Sequence, residues 1–178
     1  MNNNALKVST AALLTAIAAT ALASPGALPA NLHPRAYCAL AKDSGLPSRK
    51  PYSEASGTCG SDRKQVTPTP GATGLHNSVF YAVLGATDNP RALGRLSLVL
   101  NVNNMRESEA AKNALAQHAE QLVSRVLGES RPSNLTNAVV QGKPKSWRLA
   151  TWHVEVARED SDDKKGYTLY VRLTPQIP

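Results

Sequence analysis

The most constraining feature of this chain is a change of period halfway along it. Leu96, Leu98, Leu100 and Val102 recur at every second position with Ser97 and Asn101 between them, the repeat of a strand with one buried face. Val99 is the exception to that alternation. From Met105 to Leu127 the repeat lengthens. Ala111, Leu115, Ala119, Leu122 and Val126 fall three or four apart, and Arg106, Glu109, Lys112, Glu120 and Arg125 take other positions. Asn104 is placed to cap this helix, with Glu107 three residues on to complete a capping box and Gly128 to end it. Such a helix is about 35 Å long, against about 23 Å for a seven-residue strand. One end is therefore expected to overhang the sheet or to cover the N-terminal segment.

Strand patterns lie on both sides of the helix. Val79–Leu84 is a short apolar run bounded by Asn77-Ser78 and by Gly85 with Asp88-Asn89-Pro90, and reads as a strand. After the breaker Ser130–Asn134, residues Asn137–Gln141 read as a short edge strand ended by Gly142 and Pro144. Ala150, Trp152, Val154 and Val156 then form one apolar face, and Tyr167, Leu169, Val171 and Leu173 another. The charged turn Arg158–Lys165 connects them as an antiparallel hairpin. Bringing both apolar faces to one side fixes the parity of the register. A symmetric register sets Trp152 opposite Val171 and His153 opposite Tyr170. The expected fold is α+β, a two-layer sandwich of a four-stranded, mainly antiparallel sheet in the order β-β-α-β-β with one long helix. One helix covers only one sheet face. The other face, carrying Thr151, His153 and Glu155 beside Thr168, Tyr170 and Arg172, is the leading candidate for a working surface.

The N-terminal part reads differently. Lys7 precedes the apolar stretch Val8–Ala23, which ends in Ala21-Leu22-Ala23, the small-x-small pattern of a secretory signal peptide. The stretch is shorter and less apolar than a membrane span requires, and no later run is apolar enough, so no transmembrane span is expected in the mature chain. The expected division is a signal peptide at 1–23, an extension at 24–74 and an α+β domain at 75–178. The extension holds seven of the twelve prolines, a short helix from Pro34 to Ser44 stopped by Gly45, and the linker Thr67–Gly74. Export to the periplasm or the cell exterior makes Cys38 and Cys59, the only cysteines, a disulfide pair. In the chain-entropy model, closing the loop between them contributes about 3 kcal/mol.

Few constellations in the chain carry chemistry. The formal charge of +7 falls to +6 once Lys7 is removed, and the excess is spread along the chain. Lys145 and Arg148, with Lys143 nearby and Trp147 as a stacking surface, form one basic group. For an exported protein its partner would be another protein or an anionic envelope component, not nucleic acid. The four histidines lack metal-ligand spacing, two cysteines cannot supply an all-cysteine zinc site, and no cofactor motif is present. His118 sits at the edge of the helix's apolar stripe as a partly buried side chain. His153 and Glu155 share a strand side with Tyr170 and Arg172, the proximity that acid–base work needs. The sequence thus points to an exported, non-catalytic binding protein that contacts another protein through His153, Glu155, Tyr170 and Arg172 or through Lys145, Trp147 and Arg148. The alternatives are a small secreted hydrolase using His153 and Glu155, and a structural protein binding envelope polyanion.

Overall fold

The structure, a computed structural model, describes residues 28–149, 151–162 and 165–176. The signal-peptide stretch and Ala150 lie outside them. Strands β1 (Ser48–Ser53), β2 (Thr58–Ser61), β3 (Lys64–Gln65), β4 (Ser78–Gly85) and β5 (Leu93–Val102) precede helices α1 (Ser108–Leu127) and α2 (Leu135–Gln141). Strands β6 (Lys145–Arg148), β7 (Trp152–Asp160) and β8 (Tyr167–Pro175) follow. They form one antiparallel sheet in the order β1-β2-β4-β5-β8-β7-β6, with β3 also on β4. The class is α+β with one long helix and the Cys38–Cys59 disulfide, but the sheet has eight strands, not four. The additional strands are short, and Ser48–Ser53, Thr58–Ser61 and Lys145–Arg148 carry Pro, Gly or charge in place of an apolar alternation. Their pairing comes from neighbours, so no periodic signal marks them.

Two further expectations are corrected. Asn137–Gln141 is helical: Leu135, Ala138 and Val139 are buried at helical spacing, and the Gly142 N–H donates to the carbonyls of Ala138 and Val139 in a left-handed cap. A five-residue apolar run fits either period, and packing against α1 decided it. In the β7–β8 hairpin Trp152 stands opposite Pro175 instead of Val171, and His153 opposite Thr174 instead of Tyr170. Parity is as expected, since Val154 and Val156 still meet Leu173 and Val171. The turn is shorter than the charge run implied because Arg158–Asp160 belong to β7. There the Arg158 guanidinium lies 3.9 Å from the centre of the Tyr167 ring, which makes a charged position compatible with a strand.

One face of the sheet carries the helices and the core. Leu98, Leu100, Val154, Val171 and Leu169 are fully buried there with Leu115, Val123 and Val126 of α1. The segment before β1 packs on the same face. It begins as a 3-10 turn, Pro34–Tyr37, and continues as turns to Gly45 (φ 80°), not as a regular helix. Tyr37 meets Trp152 edge-to-face at 6.2 Å and accepts a hydrogen bond at its carbonyl from the Tyr81 hydroxyl (3.0 Å). The disulfide ties this segment to β2 with its Cα atoms 5.9 Å apart. The C-terminal turn of α1 reaches over it: Arg125 donates to the Leu40 carbonyl (2.9 Å) and pairs with Asp43 (2.7 Å). That is where the excess length of the helix goes.

The passage from sheet to helix is fixed by asparagines. Asn77 is fully buried. Its Oδ1 accepts from the Asn103 and Asn104 N–H groups at 2.7 Å, and its Nδ2 donates to the Asn104 carbonyl at 3.0 Å. Asn104 caps the following turn by accepting from the Arg106 N–H (3.0 Å). Glu107 leaves the capping box open and instead accepts from the Thr69 N–H (3.2 Å), fastening the Pro-rich linker to the helix start.

Candidate functional site

The sheet face away from the helices has no second layer over it among the described residues. Strand alternation places Phe80, Val99, Tyr170 and Ala157 side by side across β4, β5, β8 and β7. Ala82, Ser97, Arg172, Glu155 and Ser146 form the neighbouring row. The central strand is nevertheless buried here, with Ser97 3% and Val99 6% exposed. Long side chains on the flanking strands cover it, and Val99 thereby escapes the alternation that left it exceptional.

Those side chains form an ordered cluster. The Arg172 guanidinium lies 4.1 Å from the centre of the Tyr170 ring. Its Nη2 is 2.9 Å from Glu159 Oε1, and its Nη1 is 3.7 Å from Glu155 Oε2. The Tyr170 hydroxyl donates to Glu159 Oε2 at 2.9 Å. The Tyr170 hydrogen bond, then Arg172, holds the Glu159 carboxyl below the usual carboxylate range, with Arg95 adding to the attraction. Burial first, and Glu159 second, push the Tyr170 hydroxyl up. Tyr170 therefore stays a hydrogen-bond donor at neutral pH. Beside this cluster, Arg95 Nε, Ser97 Oγ, Asn101 Nδ2 and Arg172 Nε are buried with no hydrogen-bond partner among the described residues.

The residues singled out from sequence divide between the two faces. His153, Glu155, Tyr170 and Arg172 share the open face as expected, and Arg148, opposite His153 on β6, joins them. Lys145 and Trp147 point the other way, opposite Val156 and Val154. Trp147 packs against the core, its Nε1 donates to Asn134 Oδ1 (3.1 Å), and the Lys145 ammonium lies 5.6 Å from its ring centre. The indole is thus occupied by the fold. Glu159 and Arg95 were missed. Extending the alternation 153, 155, 157 by one step would have found Glu159, had its charged neighbours not suggested a turn.

No hydrogen bond joins His153 to Glu155, whose carboxylate faces Arg172. The two line neither the groove of about 540 Å³ beside β1 and β2 nor the hollow of about 500 Å³ around Gly71, Asn104 and Arg106. Among the described residues no three His, Cys, Asp or Glu side chains converge as metal ligands would, and no helix is long and apolar enough to cross a membrane. His118 lies on α1 where expected, and burial, then Lys64, pushes its imidazole below the ordinary histidine value. No protein-family model, no curated protein and no solved structure matches this chain.

Proposed function

We propose that this chain is an exported, non-catalytic binding protein that meets another protein through the open face of its sheet. The observation that carries this reading is the ordered Tyr170–Glu159–Arg172 cluster on a sheet face that no second layer covers among the described residues. Rigid aromatic and arginine side chains cost little entropy to engage and recur at the energetic centres of interfaces. Export rests on the Val8–Ala23 pattern, and the disulfide is compatible with an oxidising compartment.

The test is affinity capture from envelope extract by the native protein and by a variant carrying His153→Ala with Tyr170→Ala. Both residues are half-buried and Tyr170 helps to cover the central strand, so the variant should fold with its thermal midpoint lowered by several degrees, about 1–3 kcal/mol. Loss of the captured partner supports the reading. Undiminished capture by the double variant removes the Tyr170 cluster from consideration.

A further inference from the structure

The β1–β2 hairpin is the irregular end of the sheet. Its register slips between Ser48 and Lys50 and again between Lys50 and Ser53. Irregularities of this kind bend a strand and sharpen its twist. Beside it lies a groove of about 540 Å³ on the open side of the sheet, lined by Arg49, Lys50, Gly60, Phe80, Ala82 and Leu84 among others. Its floor is apolar and shallow. Gly60 adds no side chain to it, and β2 runs so close to β4 that a Cβ there would lie 2.5 Å from the Tyr81 carbonyl oxygen.

The rim is cationic. Arg49 is answered by Asp62 at 3.0 Å. Lys50 and Arg63 have no carboxylate partner among the described residues, and Arg63 lies over the Phe80 ring at 5.7 Å from its centre. An apolar floor beside two uncompensated cations selects a ligand that is apolar on one side and anionic on the other.

We propose that this groove binds an acidic peptide segment of another protein in extended conformation, with aliphatic side chains on Ala82 and Leu84 and carboxylates at Lys50 and Arg63. The proposal rests on reading the open face as a contact surface and names the partner's chemistry. Alternating side chains of an extended segment match an apolar floor and a charged rim. Pro51 and the two register slips interrupt the outer edge of β1, so side chains, not a continued backbone ladder, hold the segment. A sugar or a base would need the Phe80 face that Arg63 already occupies, which favours peptide over polysaccharide or nucleic acid.

Fluorescence anisotropy on the purified, oxidised protein tests this with a labelled peptide of about eight residues alternating Glu and Leu. Arg63→Glu with Lys50→Glu, both at exposed positions, should weaken binding by about tenfold or more, and added salt should weaken binding to the native protein. A peptide alternating Lys and Leu should not bind. Unchanged affinity in the double charge reversal overturns the proposal. So does equally tight binding of polyglutamate, which lacks the apolar side chains, or of a sulfated polysaccharide.

Arg35→Glu with Lys42→Glu, exposed positions in the segment on the helix side of the sheet, should leave the affinity for the peptide unchanged, and an equal loss there would show unselective charge attraction and overturn the groove. If the peptide binds no form while capture from extract still depends on Tyr170, the groove fails and the contact face stands. If peptide binding depends on Lys50 and Arg63 while capture ignores Tyr170, the groove stands and the Tyr170 cluster fails.

Discussion

The two faces of one sheet solve burial in opposite ways. On the helix side, Leu100, Leu169, Val171 and Val154 are fully buried under a second layer. On the other side the central strand is nearly as buried, yet its cover is the side-chain cluster of Tyr170, Arg172 and Glu159. A layer of backbone holds its side chains in fixed wells. A cover of long polar side chains can rearrange at lower cost. Equal burial therefore does not mean equal contribution to stability.

Removing a core side chain should separate the faces most. Leu169→Ala is expected to cost about 2–5 kcal/mol in urea unfolding, because the fixed layer cannot collapse onto the cavity. Val99→Ala, beneath the movable cover, should cost less, about 1–2 kcal/mol. Equal losses at the two sites would break the distinction. Opening the disulfide with Cys38→Ser and Cys59→Ser should lower stability by about 3 kcal/mol, since the N-terminal segment packs on the helix side against Trp152. Glu159→Gln should cost less than about 1 kcal/mol, as the Glu159 side chain is 57% exposed and its ion pair is screened by salt.

Acid titration should distinguish the faces by pH window. Both shifts are downward, so both groups favour folding at higher pH. The neutral His118 imidazole suits the fold while the unfolded chain takes up a proton. Stability is therefore full above about 6.5 and declines as the pH falls below it, and His118→Gln should flatten that part of the profile. Glu159 acts lower. Its contribution is present above the ordinary carboxylate value and is lost as the pH falls through its depressed one. Glu159→Gln should remove only this smaller, salt-sensitive decline. A profile unmoved by either substitution would show that neither group couples to folding.

The candidate face was legible in part. Period-two alternation placed His153, Glu155, Tyr170 and Arg172 on one side, because parity follows from hydrophobicity alone. The row-to-row pairing was not legible, since sliding the hairpin by an even number of residues leaves every apolar side chain on the same face. Only the shared pairing of β8 with β5 on one side and β7 on the other selects Trp152 opposite Pro175. The basic neighbours of Trp147 are visible in sequence, whereas Asn134, its hydrogen-bond acceptor, is brought to it only by the fold.

The chain's local chemistry by itself determined the long helix and its C-terminal end at Gly128, the two central strands, the hairpin's parity and the pairing of the only two cysteines. Each follows from interactions within a short stretch or from a choice with one solution. The tertiary structure decided the rest: eight strands in place of four, helix over strand at 135–141, and the side chains that share a cluster. Short edge segments and five-residue apolar runs carry too little intrinsic preference to choose a conformation, so the free energy of packing against α1 and the sheet chose for them.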